Sequence, residues 1–236
     1  MALVSKVPAD AEAQPIRPAA TVILWRQGPG GPEVLMGQRG AGAAFMPSKF
    51  VFPGGAVDPA DAQVMLAGAL APQCAARLAL HAPDGPAPQE LAAAAVRELW
   101  EETGLALGVP GDWPAPPADR DHDWQGFADR GLVPSAQGLR FVFRAITPPG
   151  RSRRFDARFF LADAQAVAGD AADFGAASDE LAHLRWLPLA QARALDLPFI
   201  TEVVLAEIGA LFGGMADAGV PFFDNSGDRP RFRRLA

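Results

Sequence analysis

The sequence predicts an α/β chain, mixed α+β in its ordering, with helices packed on a mixed β-sheet. Short apolar runs read as strands and are interspersed with helical stretches, but not in a strict strand–helix–strand repeat. Half of the 236 residues are hydrophobic, enough for one sizeable domain with a full core. Glycine (24) and proline (23) are numerous, which predicts many turns and long loops rather than a helical bundle.

Along the chain, residues 21–25 (TVILW) and 34–38 (VLMGQ) read as strands, and the Gly/Pro-rich 27–32 between them as a hairpin turn. Residues 50–52 form a third strand, closed by Pro53-Gly54-Gly55. A helical piece is expected over 62–80, followed by a proline-rich return over 81–89. Pro88 suits a first helical turn, where its missing N–H costs little, and residues 90–103 make a helix with Gly104 as its stop. A short helix is expected near 121–130, strands at 140–146, 158–161 and 183–187, and helices at 189–195 and 199–212. The expected organisation is a lead-in at 1–18, a domain at 19–215 with an insertion at 58–89 and a long loop at 106–138, and a polar tail at 216–236.

Composition excludes several function classes. A net charge of −6 argues against a general nucleic-acid binder, which needs a basic surface. The single Cys74 allows no intrachain disulfide and no cysteine metal cage, and the scattered His81, His122 and His183 suggest no zinc site. No apolar run approaches the roughly 20 residues that span a bilayer, and no basic stretch followed by a long apolar one opens the chain. A cytoplasmic protein with no membrane partner is expected.

The segment Arg97-Glu98-Leu99-Trp100-Glu101-Glu102-Thr103-Gly104 breaks a local rule. At 100° per residue, Glu98, Glu101 and Glu102 share a roughly 100° arc of one helix face, while Ala92, Val96, Leu99 and Trp100 lie opposite. Three carboxylates thus crowd the negative end of the helix dipole, where cations belong. Arg97 can neutralise one and leaves the others uncompensated. Hard divalent cations, magnesium or manganese, are the simplest compensation, because they take carboxylate and water oxygens without His or Cys. The competing reading is a solvated acidic helix end.

Here the sequence resembles the Nudix hydrolase family. The family signature is Gly, five residues, Glu, seven residues, then Arg-Glu-x-x-Glu-Glu-x-Gly-aliphatic. Residues 97–105 match the second half at every fixed position, and Phe52-Pro53-Gly54-Gly55 resembles the turn that opens the box. From Gly55 to Arg97 is 42 positions where the family has 14, so about 28 residues interrupt the box. Counted back from Arg97, the first family Glu falls at Gln89, with Glu90 one place off. The coenzyme A diphosphatase-like (NUDT nineteen-like) branch shows a similar interruption. Phe45-Met46-Pro47, Val51-Phe52, Asp58 to Asp61, Thr147-Pro148, Arg154-Phe155-Asp156 and Phe159-Phe160-Leu161 resemble blocks of that branch.

The resemblance implies a Nudix-like α/β/α sandwich with a helical insertion inside the box. It also implies a hydrolase that directs water onto one phosphorus of a nucleoside diphosphate. Glu98, Glu101, Glu102 and the Gly55 carbonyl would hold Mg2+ or Mn2+, and Arg97 would orient a glutamate. Glu180 stands where many relatives carry a general base, against the alternative of a solvated loop acid. Arg151, Arg154 and Arg158 are candidates to grip substrate phosphate, with a solvated basic loop as the alternative. Trp113 and Trp124 could stack on an adenine or pack in the core, and Cys74 reads as a small buried hydrophobe. The expected substrate is coenzyme A or acyl-coenzyme A, cut to 3′,5′-ADP and (acyl-)4′-phosphopantetheine. The alternatives are ADP-ribose, NADH or a nucleotide sugar, or a catalytically silent nucleotide-binding domain. The oligomeric state stays open, a homodimer among the options.

Overall fold

The structure is a computed structural model that describes residues 14–43, 45–113, 116, 124–227 and 229–236. It opens with a hairpin of β1 (Ile16–Gly28) and β2 (Gly31–Arg39), joined through Pro29-Gly30 as the Gly/Pro-rich turn predicts. Two short strands follow, β3 (Phe50–Val51) and β4 (Gly54–Ala56). A 3-10 turn at Pro59–Gln63 and α1 (Pro72–Ala79) lead into α2 (Pro88–Thr103). Next come β5 (Gly108–Pro110), α3 (Trp124–Asp129), β6 (Leu132–Pro134), β7 (Arg140–Ile146) and β8 (Arg154–Asp163). The chain ends with β9 (Leu181–Pro188), α4 (Leu189–Ala192), α5 (Phe199–Phe212), β10 (Val220–Asp224) and β11 (Arg231–Leu235).

Among the described residues, one nine-stranded mixed sheet runs in the order β11-β10-β7-β8-β1-β2-β3, with β4 pairing β1 and β9 pairing β2. The thirteen-residue β1 is its spine. It runs parallel to β8 along one flank, and on the other pairs antiparallel with β4 through Ala19–Thr21 and with β2 through Trp25–Gly28. Period-two alternation sorts its side chains between two cores. Ala20, Val22 and Leu24 face the layer of α1 and α2, while Ile23 faces that of α5. The predicted sandwich of helices on both sides of a mixed sheet is therefore what forms.

Helix α2 is buried on most sides, with Leu91, the four alanines 92–95, Val96 and Leu99 shielded from solvent. Consecutive alanines keep the helix slender, so it can lie close on β1 without a helix-propensity cost. Pro88 stands in its first turn, and Gly104 ends it at φ 72° with its N–H donating to the Trp100 carbonyl. Glycine accepts that left-handed conformation without the Cβ penalty.

Two expectations fail. Residues 62–80 are not one helix: only 72–79 are α-helical, because the segment before them bonds across the molecule. Ala67 N–H donates to the Pro134 carbonyl, and Ala136 N–H to that of Gly68. The tail at 216–236 is no tail either. Its residues form β10 and β11, and β10 extends the sheet in parallel beside β7. Val220, Phe222 and Leu235 enter the core on the α2 side. Among the described residues, no helix is long and apolar enough to cross a membrane.

Candidate active site

Arg97 is the hub of the site. The residue is 2% exposed, and its guanidinium makes five hydrogen bonds, matching its five N–H donors. Nε and Nη2 fork onto the two Asp61 carboxylate oxygens at 2.9 and 3.0 Å. Nη1 donates to Glu98 Oε1 at 2.8 Å and Glu101 Oε2 at 3.0 Å, and Nη2 also reaches the Ala56 carbonyl at 2.9 Å. Burial alone would lower the Arg97 pKa, but the Asp61 hydrogen bond and the charges of Glu98, Asp61 and Glu101 push it above its usual range.

The glycine turn meets this helix despite the interruption. Gly54 N–H donates to Glu102 Oε2 at 2.7 Å. A Cβ on Gly55 would stand 2.5 Å from either Glu98 carboxylate oxygen, so only glycine permits this approach. Pairing of β4 with β1 fixes the turn, with Gly55 opposite Ala20 and Gly54 opposite Thr21. The two half-motifs form one site.

Electrostatically the carboxylates of the site outnumber its arginines. Burial, reinforced by Glu101 and Glu180, raises the Glu98 carboxyl to about 7 against the opposing pull of Arg97. Burial raises Glu102 well above the carboxylate range, with Glu98 and Glu180 adding to it; the Gly54 N–H and Arg39 oppose. Among the described residues, no three acidic, His or Cys side chains converge into a ready-made cation cage. Glu98 and Glu101 each turn an oxygen to Arg97 instead. The donor set is nonetheless all oxygen, crowded and short of cations, which is the chemistry that hard divalent ions relieve.

Glu180 lies in the loop before β9 and comes close enough to raise the pKa values of both Glu98 and Glu102. That loop caps the end of α2: Ser178 N–H donates to the Glu101 carbonyl, and Ala176 packs on Gly104. Arg39, at the end of β2, donates to Glu180 Oε1 at 2.8 Å.

Sequence reasoning missed Arg39 and, counting back from Arg97, put the position of the first family acid, the brace of the box, at Gln89. Asp61, wholly buried, is the residue that holds Arg97. Gln89 is exposed and donates instead to the Val64 carbonyl. Asp61 follows Gly55 after five residues, so the interruption lies between the acid and Arg97. The spacing forward from Gly55 contained that signal; counting back from Arg97 concealed it. Asp61 also closes a capping box with Asp58.

Two of the arginine candidates are also corrected. Arg154 is buried, with Nε on the Thr147 carbonyl and Nη2 on that of Asn225, so it clamps strands rather than presenting a free fork. Arg158 is buried against Asp156, which also binds Arg144 through both carboxylate oxygens. Arg151 is exposed in the 147–153 turn. Trp113 and Trp124 take the core alternative, edge-to-face with each other and with Phe127. Cys74 is buried, its sulfur accepting from Phe141 N–H. His122 and residues 121–123 of the expected short helix lie outside the described residues.

No known family profile matches the chain. Among curated proteins it is similar to "Acyl-coenzyme A diphosphatase NUDT19" of Gallus gallus, 32% identical over 205 residues, covering 61% of this chain and 54% of that protein. It is also similar to "Putative nudix hydrolase 7" of Caenorhabditis elegans, 32% identical over 136 residues, covering 54% of this chain and 38% of that protein. The chain thus spans about half or less of the length of these relatives. The solved NUDIX hydrolase from Alicyclobacillus acidocaldarius superposes with a TM-score of 0.61 at 28% identity, over 84% of this chain and 92% of that one. By fold, and by a box helix that rejoins its glycine turn across a long interruption, this chain resembles the Nudix hydrolases and within them the acyl-coenzyme A diphosphatase branch.

Proposed function

We propose that the chain is a divalent-cation-dependent pyrophosphatase that hydrolyses coenzyme A or acyl-coenzyme A to 3′,5′-ADP and (acyl-)4′-phosphopantetheine. The observation that carries this reading is the glutamate cluster at the end of α2: half-buried Glu98 and Glu101 on Arg97, buried Glu102 on the Gly54 N–H, and Gly55 packed on Glu98. The likeness to a protein named acyl-coenzyme A diphosphatase supports the substrate. Glu98, Glu101, Glu102 and the Gly55 carbonyl would hold Mg2+ or Mn2+. When bound, these ions supply charge neutralisation on the phosphate oxygens and an acidified water.

The chain's own residues do the rest. Arg97 and Asp61 fix the helix carboxylates in register. Glu180 takes the proton of the attacking water. The water oxygen then bonds to one phosphorus, the bridging P–O bond breaks, and the second phosphate leaves with the bridging oxygen.

The test is hydrolysis of coenzyme A, ADP-ribose, NADH and nucleotide sugars by the purified chain with and without Mg2+. Coenzyme A should be cut fastest, and E101Q and E102Q should each lower turnover by roughly 100-fold or more with little change in melting temperature. Near-normal turnover in both variants would sink the metal-site assignment, and faster cleavage of ADP-ribose would redirect the substrate.

A further inference from the structure

Strands β2 and β9 pair antiparallel, and the register ends with Arg39 opposite Leu181. Arg39 and Glu180 therefore meet where the two strands run out beside the glutamate helix. Arg39 Nη2 donates to Glu180 Oε1 at 2.8 Å, with side-chain exposures of 20% and 54%. An exposed cross-strand ion pair of this kind is ordinarily worth little. This one differs in two respects. The loop that carries Glu180 is tied to the end of the glutamate helix, with Ser178 N–H donating to the Glu101 carbonyl and Ala176 lying against Gly104. Arg39 Nε is buried and, among the described residues, has no hydrogen-bond partner, so the guanidinium is not simply solvated.

A half-exposed carboxylate on a loop, facing other carboxylates, is driven toward solvent by like-charge repulsion. A cation on the neighbouring strand offsets that repulsion and fixes one rotamer. We propose that Arg39 is a positioning residue: it latches Glu180 over the glutamate cluster, where that carboxylate can accept the proton of the attacking water. The proposal rests on the pyrophosphatase reading above and assigns Arg39 a role through Glu180 rather than through substrate. The proton passes from water to the Glu180 carboxylate and from there to solvent once the leaving phosphate has departed.

The test uses the full chain with Mg2+ and coenzyme A, in a double-mutant cycle. R39M should lower kcat roughly 10- to 100-fold, within the range of a displaced general base, and leave KM within about twofold. R39K should recover part of the loss, and R39M added to E180Q should cost nothing further. A second readout needs no turnover: in metal-free protein, R39M should speed amide hydrogen exchange over residues 178–181 without lowering the melting temperature. A raised KM at unchanged kcat that persists in the E180Q background would make Arg39 a phosphate grip and overturn the latch. Multiplicative losses of kcat, a silent E180Q, or unchanged exchange would overturn it too. If the unmodified chain cleaves no diphosphate at all, the pyrophosphatase reading fails, and the exchange measurement still decides whether Arg39 holds the loop.

Discussion

Glu98 sits between two demands. The fold buries it against Gly55 and Arg97, yet its neighbours Glu101 and Glu180 repel it, and its carboxyl rises to about 7. A raised carboxylate makes the folded state bind more protons than the unfolded state between roughly pH 4.5 and 7, so stability falls as pH rises through that window. A shift of that size corresponds to about 3 kcal/mol, and Glu102 acts in the same direction. With chelator present, the melting temperature should therefore fall from pH 5 to pH 8. E98Q should reduce the slope, and excess Mg2+ should restore stability at the alkaline end by binding the ionised form. A metal-free melting temperature that holds steady over that range, in both wild type and E98Q, would contradict the charge deficit. The three glutamates were legible in the sequence because one helix carries them all and its period places them. Arg39 was not, since strand pairing brings it in, and Asp61 was legible only by counting forward from Gly55, because 36 residues separate it from Arg97.

At the scale of elements, periodicity worked where a segment satisfies its own backbone. Helices α2 and α5 and strand β7 fall at or close to the predicted ranges because their hydrogen bonds are internal or shared with a regular neighbour. It failed over 62–71, where apolar composition resembles a helix but the backbone bonds to the 134–136 segment. The interruption matters to the site mainly through its first turn, the 3-10 element at Pro59–Gln63 that delivers Asp61. Removing that carboxylate strands two Arg97 donors in a buried setting, and breaking a buried pair costs about 3–5 kcal/mol. D61A should thus lower stability by about that much in denaturant unfolding, and it should also lower turnover because Glu98 and Glu101 lose their anchor. Q89A should stay within about 0.5 kcal/mol of wild type, as an exposed substitution does. The reverse ranking of the two variants would restore the brace to position 89.

For the whole molecule, the C-terminal segment is where composition misled most. Arginines at 229, 231, 233 and 234 make it look like a solvated tail, yet the fold uses it as two strands. Arg233 and Arg234 pair with Asp224 and Glu207, so charge that reads as solubility instead ties β11 to β10 and α5. Val220, Phe222 and Leu235 complete the core on the α2 side, and Phe222 lies under the Arg144 guanidinium. Arg154 on β8 and Asn225 after β10 bond across: Arg154 donates to the Asn225 carbonyl, and Asn225 Nδ2 to that of Ile146. Cutting the chain after residue 215 would remove Val220, Phe222 and Leu235 from the core, each worth roughly 1.5–3 kcal/mol of burial, and would leave Arg154 short of a partner. The sum approaches the total stability of an ordinary domain, about 5–15 kcal/mol. The truncated protein should therefore lose its cooperative melting transition or fall out of solution, although every proposed catalytic residue is retained. Melting and diphosphate hydrolysis measured together on that truncation provide the test. A truncated chain that melts within a few degrees of the full one would show that β10 and β11 are appended to the sheet rather than part of what holds it.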